Sequence, residues 1–241
     1  MERLQKVISN SGYCSRRKAE EIILKGRVFV NDEMINTLGY KVKGNDIITI
    51  DGNIINKDIK KEYYILNKPR EVICSVKDEK NRKTVVDLIK TDARIYPVGR
   101  LDYDTTGLII LTNDGNLANI LMHPKNKIYK TYIAKINGIL KDEDYKKIKK
   151  GILIDNRKLL VDSIKTKKID KTKNTSLVEV IIHEGRNHII RKLFEKLGCD
   201  VIKLTRSKLA FLNIDDLKSG EYRELSLKEV KQLYSLNIKS N

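Results

Sequence analysis

The chain has no tryptophan and only three cysteines, three prolines and three histidines among its 241 residues. Cys14, Cys74 and Cys199 are odd in number, lie far apart and form no Cys-x-x-Cys pair. This usage argues against a disulfide framework and indicates no zinc site. It is typical of a protein from a reducing cytoplasm.

Long hydrophobic segments are also missing. No apolar run approaches the roughly 20 residues that a helix needs to cross a bilayer, and residues 1–6 have no apolar core of the signal-peptide type. We therefore expect a cytoplasmic protein that has no membrane partner.

Acidic residues are far fewer than basic ones. The chain has 49 Lys and Arg against 32 Asp and Glu, which gives a formal net charge of +17. Such an excess favours a polyanionic partner, most commonly nucleic acid, although charge alone leaves open a merely basic soluble protein. The length allows one large domain or two smaller ones.

Residues 1–51 are predicted to form a small, self-contained basic module. Leu4 lies in a first helix that Gly12 ends, and Ser15 caps a second helix that ends at Gly26. Short strands are expected to follow at 27–30, 41–42 and 47–50.

Three consecutive cations, Arg16, Arg17 and Lys18, fall in the first turn of the second predicted helix. They oppose the helix dipole, which favours anions at this end, and a bound phosphate would relieve the penalty. The sequence therefore predicts a phosphate-binding turn. The alternative is a solvated charged turn that tolerates a small cost.

The polar segment 52–61 is predicted to be a linker to a second unit, residues 62–241. Strands outnumber long helices there and βαβ alternation is absent, so we expect an α+β fold with a mixed, mostly antiparallel sheet. Strands are expected at 63–66, 72–76, 96–98, 108–111, 130–136, 177–182, 201–204 and 209–212, and helices at 84–89, 116–122, 142–150, 185–194 and 227–236.

The most informative stretch runs from Gly99 to Gly115 and is predicted as strand, polar loop, buried strand and tight turn. Its loop contains Arg100 and two carboxylates, Asp102 and Asp104. An unpaired buried carboxylate costs several kcal/mol, so carboxylates between buried strands call for a function. Our hypothesis is that Asp102 is a reactive carboxylate.

Two kinds of metal site and one structural role are alternative explanations for the acidic and histidine residues of the chain. A calcium loop beginning at Asp102 needs a glutamate at its twelfth position, where Asn113 stands, and flanking helices rather than strands. His183 and His188 are five residues apart and do not converge on one zinc ion from a helix. Simple turn capping remains open for Asp104.

Four segments, taken in order, carry a resemblance: Gly99–Gly107, Lys130–Tyr132, Gly185–Arg191 and Lys203–Arg206. Together they resemble the RsuA/RluB family of rRNA pseudouridine synthases over residues 62–228. They look closer to the RluB branch, which modifies large-subunit rRNA. Residues 2–51 look like the small RNA-binding module named after the S-four ribosomal protein.

The resemblance implies a reaction that converts a uridine of RNA into pseudouridine without a cofactor or metal. It implies Asp102 as the nucleophile, with Arg191 paired to it and holding it ionised. Tyr132 would stack on the flipped uracil and lie near a transferred proton. The chain departs from the family at Ile189, where the usual residue is Gln.

The resemblance also implies an RNA-binding set within the second unit. Arg100 would fill the gap left by the extruded uridine, Leu204 would form an apolar wall, and Arg186 is a further RNA-binding candidate. The expected partner is ribosomal RNA or a pre-ribosomal particle, bound by a monomer. A small-subunit rRNA synthase and a non-catalytic assembly factor remain as alternatives.

Overall fold

The computed structural model describes residues 1–237, which belong to two compact units. The first unit comprises Met1–Glu62 with the short segments Thr91–Arg94 and Asn113–Gly115. The second comprises Tyr63–Lys90, Ile95–Thr112 and the chain from Asn116 onward.

The strands are β1 (Glu2–Arg3), β2 (Val28–Val30), β3 (Glu33–Ile35), β4 (Lys41–Val42), β5 (Ile48–Ile50), β6 (Asn53–Ile54), β7 (Tyr63–Lys68), β8 (Tyr96–Val98), β9 (Thr106–Thr112), β10 (Lys130–Asn137), β11 (Ile152–Ile154), β12 (Arg157–Leu159), β13 (Ser163–Asp170), β14 (Thr175–Ile182), β15 (Asp200–Leu209), β16 (Leu212–Asn213) and β17 (Tyr222–Glu224). The helices are α1 (Leu4–Asn10), α2 (Arg16–Leu24), α3 (Gly115–Met122), α4 (Asp142–Lys150), α5 (Ile189–Glu195) and α6 (Leu227–Ser235). Short 3-10 turns lie at Val86–Leu88 and Pro124–Asn126.

The first unit pairs α1 and α2 with a four-stranded sheet in the order β3-β2-β5-β6. Its core is aliphatic and includes Leu4 and Ile8 from α1, Ile22 and Ile23 from α2, and Ile50 from the sheet. The two predicted helices are confirmed, because each presents its apolar side chains on one face.

The N-cap of α2 is also as predicted, since the Ser15 hydroxyl accepts a hydrogen bond from the Lys18 amide at 3.2 Å. The predicted linker at 52–61 is in part regular structure. Its residues 53–54 form β6, which pairs with β5, and Ile55 is buried in the aliphatic core. Burial of Ile55, whose amide donates to the Ile48 carbonyl at 3.0 Å, continues the small domain beyond the predicted end of the module.

The second unit is built on a nine-stranded sheet. Its main path runs β13-β14-β10-β15-β9-β7-β17, with β8 paired to β9 and β16 to β15. Among the described strands the pairings of this sheet are antiparallel except that of β15 with β9, which is parallel. The predicted mixed, mostly antiparallel α+β fold is confirmed.

One face of the large sheet carries the core against which α3 and α6 pack. Ile65, Leu108 and Ile110 from the sheet meet Leu117 of α3 and Leu233 of α6. Residues 107–112 of β9 are all buried, as expected for a central strand covered on both faces. This rigid centre supports the loop that precedes β9.

Several sequence predictions for this unit were wrong in detail. The strand predicted at 72–76 is a loop with a single bridge from Ile73 to Thr84, and the helix at 84–89 shrinks to the 3-10 turn Val86–Leu88. The two strands predicted at 201–204 and 209–212 are mainly one strand, β15. Strands β11, β12, β13 and β17 were missed. For β13 the reason is that its exposed, lysine-rich sequence shows little apolar alternation. Within residues 1–237, no helix is both long and apolar enough to cross a membrane.

Candidate active site

Three neighbouring strands bring distant parts of the chain together. Tyr132 of β10 lies opposite Arg206 of β15, and Arg206 in turn pairs with Gly107 of β9. The loop 99–105 leads directly into β9. The sheet therefore places this loop beside Tyr132 and the residues around Leu204, although they are far apart in sequence.

The parallel contact between β9 and β15 depends on a glycine. Gly107 has a φ of +106°, and a Cβ there would collide with the backbone of Arg206. On the same pair of strands, the hydroxyls of Thr106 and Thr205 lie 2.7 Å apart. Close backbone approach at Gly107 thus fixes the end of the loop against β15.

A cavity of about 880 Å³ opens next to this loop. It is bordered by five of the residues predicted for the site, namely Arg100, Asp102, Tyr132, Arg186 and Leu204. Tyr132 and Leu204 are buried in its wall, whereas Arg100 is exposed. The cavity thus combines apolar walls with a few polar groups, as expected of a small-molecule binding site.

Asp102 keeps partial contact with solvent, with 28% of its side chain exposed. An ionisable group next to it is His188, whose Nε2 lies 3.5 Å from Oδ1 of the carboxylate. His188 has a left-handed backbone with a φ of 54°, which is uncommon for a residue other than glycine. The chain accepts this conformation at the start of α5, where it turns the imidazole toward Asp102.

The predicted ion pair between Arg191 and Asp102 is wrong in this structure. Arg191 Nη2 donates to Asp104 Oδ2 at 2.6 Å, and Nη1 donates to the Val201 carbonyl at 3.1 Å. Because the carbonyl at the start of β15 fixes one side of the guanidinium, the other side meets the second carboxylate of the loop. Arg191 lies outside the residues that border the cavity.

A fully buried lysine holds the backbone of the loop 99–105 through hydrogen bonds. Lys68, at the end of β7, donates to the carbonyls of Pro69 and Thr105 at 2.9 Å each and to that of Tyr103 at 3.4 Å. Its burial lowers the pKa of the ammonium group. Sequence analysis missed this residue, although it shares the buried face of β7 with Tyr64 and Leu66, at the alternation expected of a strand.

Cys74 is a second support that the sequence analysis missed. Its Sγ accepts a hydrogen bond from the Leu101 amide at 3.2 Å, directly before Asp102. Burial raises the pKa of this thiol, so the sulfur acts here as a neutral acceptor. No spacing in the sequence pointed to it.

Lys130 also borders the cavity and contacts the backbone of the segment that contains His183 and Glu184. Its Nζ lies 3.4 Å from each of three backbone carbonyls, those of Ile128, His183 and Glu184. Burial lowers the pKa of Lys130 to about 8. This lysine lies in the segment Lys130–Tyr132 that carries the family resemblance, but sequence analysis assigned it no role.

Arg186 borders the cavity, but its guanidinium already makes hydrogen bonds to groups of the protein. It makes a bidentate pair with Glu184, and Nη1 donates to the carbonyls of Ile154 at 2.8 Å and Arg157 at 3.2 Å. The side chain is 20% exposed. The geometry favours a structural task over direct contact with RNA.

The three cations predicted to bind phosphate lie in the first unit, at the start of α2. Arg16, Arg17 and Lys18 are all exposed, and Lys18 Nζ pairs with Glu21 Oε2 at 2.8 Å. The side chains of Arg16 and Arg17 have no hydrogen-bond or ion-pair partner within residues 1–237. They are placed where they can meet a phosphate.

Comparison with known protein families gives two matches, one for each part of the chain. Residues 62–196 match the family described as RNA pseudouridylate synthase, and residues 2–48 match the S4 domain. The first match contains Asp102, Tyr132 and Arg191, and the second contains the basic turn of α2.

Individual proteins match over nearly the whole length. The chain is 49% identical to the ribosomal large subunit pseudouridine synthase B of Bacillus subtilis, with 98% of this chain and 97% of that protein covered. It is 40% identical to an uncharacterized RNA pseudouridine synthase of Aquifex aeolicus, with 96% and 93% covered. A crystal structure of a pseudouridylate synthase superimposes with a TM-score of 0.68 at 28% identity and covers 97% of this chain.

Proposed function

The chain belongs to the RNA pseudouridylate synthase family, and from this premise we propose that it converts a specific uridine of large-subunit ribosomal RNA into pseudouridine. The choice of large-subunit RNA rests on the Bacillus subtilis relative, which is named for that activity and aligns over almost the whole chain. The catalytic assignment rests on one observation. Arg100, Asp102, Tyr132 and Leu204, from three separate segments, border one cavity.

The reaction is an isomerisation that exchanges one bond to the sugar for another. The bond from N1 of uracil to C1′ breaks, the base rotates, and a bond from C5 to C1′ forms. The proton on C5 is released and N1 gains one, so atoms and electrons balance without a redox step. We infer that the reaction needs no cofactor or metal.

Asp102 is the group that we assign as nucleophile in this exchange. A nucleophilic carboxylate must be ionised, and desolvation in a closed site would oppose ionisation. Asp102 keeps contact with solvent, and the imidazole of His188 lies 3.5 Å from its carboxylate. His188, rather than Arg191, is therefore the side chain of the segment Gly185–Arg191 that lies beside Asp102.

The walls of the cavity suit a flipped uracil. Extruding a base costs a few kcal/mol, which stacking and hydrogen bonds inside the pocket must offset. Tyr132 offers an aromatic face and Leu204 an apolar one. Arg100 is exposed at the same cavity, where it can occupy the space that the nucleotide leaves in the RNA.

Binding of the ribosomal RNA would be shared with the first unit. Arg16, Arg17 and Lys18 present cations at a helix start whose dipole already favours anions. Phosphate contacts of this kind position an RNA without reading its sequence. We propose that the enzyme works as a monomer on rRNA or a pre-ribosomal particle in the cytoplasm.

The test is a map of pseudouridines in ribosomal RNA from cells with and without this gene. The proposal predicts that one position in large-subunit RNA loses its modification and that a plasmid copy of the gene restores it. Loss at a small-subunit position would contradict the assignment to the large subunit. An unchanged map would favour the non-catalytic assembly factor.

A further inference from the structure

The hairpin formed by β11 and β12 has no part in the mechanism above, yet it borders the catalytic cavity. Asp155 and Asn156 form its two-residue turn, with φ values of 50° and 58°. Such a turn matches the twist of the strands and makes the hairpin tight. Directly after the turn, Arg157 and Lys158 line the cavity.

Contacts to the rest of the unit hold this hairpin in place. Arg186 Nη1 donates to carbonyls on both of its strands, those of Ile154 and Arg157. Lys192 of α5 forms an ion pair with Asp155 at the turn. These contacts of Arg186 and Lys192 fix the hairpin to the rest of the unit. Its side chains therefore have a defined position at the cavity.

The local charges leave two cations without an acidic partner. Asp155 is paired with Lys192 and Glu184 with Arg186, so neither acid is free to neutralise the hairpin. The side chains of Arg157 and Lys158 are exposed and make no hydrogen bond or ion pair within the described chain. A pair of free cations at a cavity rim would attract an anionic group there.

We propose that Arg157 and Lys158 bind phosphates of the RNA strand that flanks the flipped uridine, and that Arg186 positions them by clamping the hairpin. The inference rests on the proposed function, because it takes the cavity to be the site that receives the target nucleotide. It assigns to the second unit a phosphate contact separate from the cationic turn of α2. Cations on a fixed hairpin also restrict how the RNA can approach Asp102.

The test uses the full-length protein and an unmodified in vitro transcript of large-subunit rRNA. Replacing both residues with alanine (R157A/K158A) should weaken binding by about tenfold at moderate salt, and should reduce the slope of log K against log salt by roughly 1.4 to 1.8 for two phosphates. The charge-conserving variant R157K/K158R should restore most of the binding.

A matched control removes two exposed lysines of α4 that do not border the cavity, as K146A/K149A. If both double variants reduce the affinity and the salt slope equally, general charge explains the effect and the inference is overturned. The same holds if R157A/K158A binds like the wild type. A wild-type protein that binds the transcript but makes no pseudouridine would instead overturn the proposed function, since the binding comparison does not depend on turnover.

Discussion

Arg191 Nη2 lies 2.6 Å from Oδ2 of Asp104, two residues beyond the carboxylate that sequence analysis had paired with it. The contact joins the loop before β9 to helix α5. It leaves Asp102 to face the cavity, with His188 as its neighbour. The arginine of the third motif therefore holds the loop and does not itself touch the proposed nucleophile.

A double-mutant cycle measures this contact. Asp104→Asn, Arg191→Gln and the double variant should give a coupling of about 0.5–1 kcal/mol in the free energy of unfolding, because the pair is partly exposed. Both single variants should lower kcat to a similar degree, since each releases the same loop. If Arg191→Gln abolishes turnover while Asp104→Asn leaves it unchanged, Arg191 acts on Asp102 or on the substrate instead.

Replacing Lys68 with methionine should cost stability and activity together. The carbonyls of Pro69 and Thr105 would lose a buried donor, which we expect to cost about 1–3 kcal/mol of unfolding free energy. The loop that carries Asp102 would loosen, so kcat should fall more than KM changes. Chemical denaturation and steady-state kinetics check both effects, with Lys80→Met at an exposed position as the control. Equal behaviour of the two variants would contradict the supporting role.

Gly107→Ala should be strongly destabilising. The residue has a positive φ, and the added methyl group would collide with the backbone of Arg206. We expect a loss of about 2–4 kcal/mol. Gly44→Ala is a suitable control, since no atom lies within 4 Å of the added carbon. Thermal unfolding of both variants compares them directly, and similar melting temperatures would mean that β9 and β15 can separate at little cost.

Lys130 gives a prediction for pH. Burial lowers its pKa from an ordinary 10.5 to about 8 when the protein is folded, so unfolding takes up a proton between these values. The stability of the wild type should therefore rise relative to Lys130→Met as the pH increases from about 8 to 10.5. Lys130→Arg, which stays protonated in this range, should not show the rise. A flat difference between the wild type and the methionine variant would contradict a buried, readily deprotonated lysine.

The sequence predicted elements whose signals are local. The boundary residues Ser15 and Gly26 mark α2, and the apolar run from Leu108 to Leu111 marks the central strand. The edge strand β13 was missed because its burial comes from one neighbouring strand and its composition is that of a charged loop. Local patterns report which face is apolar, and exposed edges have little such pattern.

The same difference between local signals and long-range contacts applies to the residues of the candidate site. Asp102 and Tyr132 could be named because they lie in recognisable motifs, and the structure places both at one cavity. Sequence analysis paired Arg191 with Asp102, whereas its partner is Asp104, because two carboxylates two residues apart differ only in how the loop is folded. The support from Lys68 depends on carbonyls 35 and 37 residues away, and no local pattern reports such contacts.

The most direct test is the turnover of Asp102→Asn on an in vitro rRNA transcript labelled with tritium at C5 of uridine. Because an amide of the same shape cannot act as an anionic nucleophile, the variant should bind the transcript like the wild type and release no tritium above background. Tritium release near the wild-type rate would contradict the assignment of Asp102 and, with it, the mechanism proposed for this cavity.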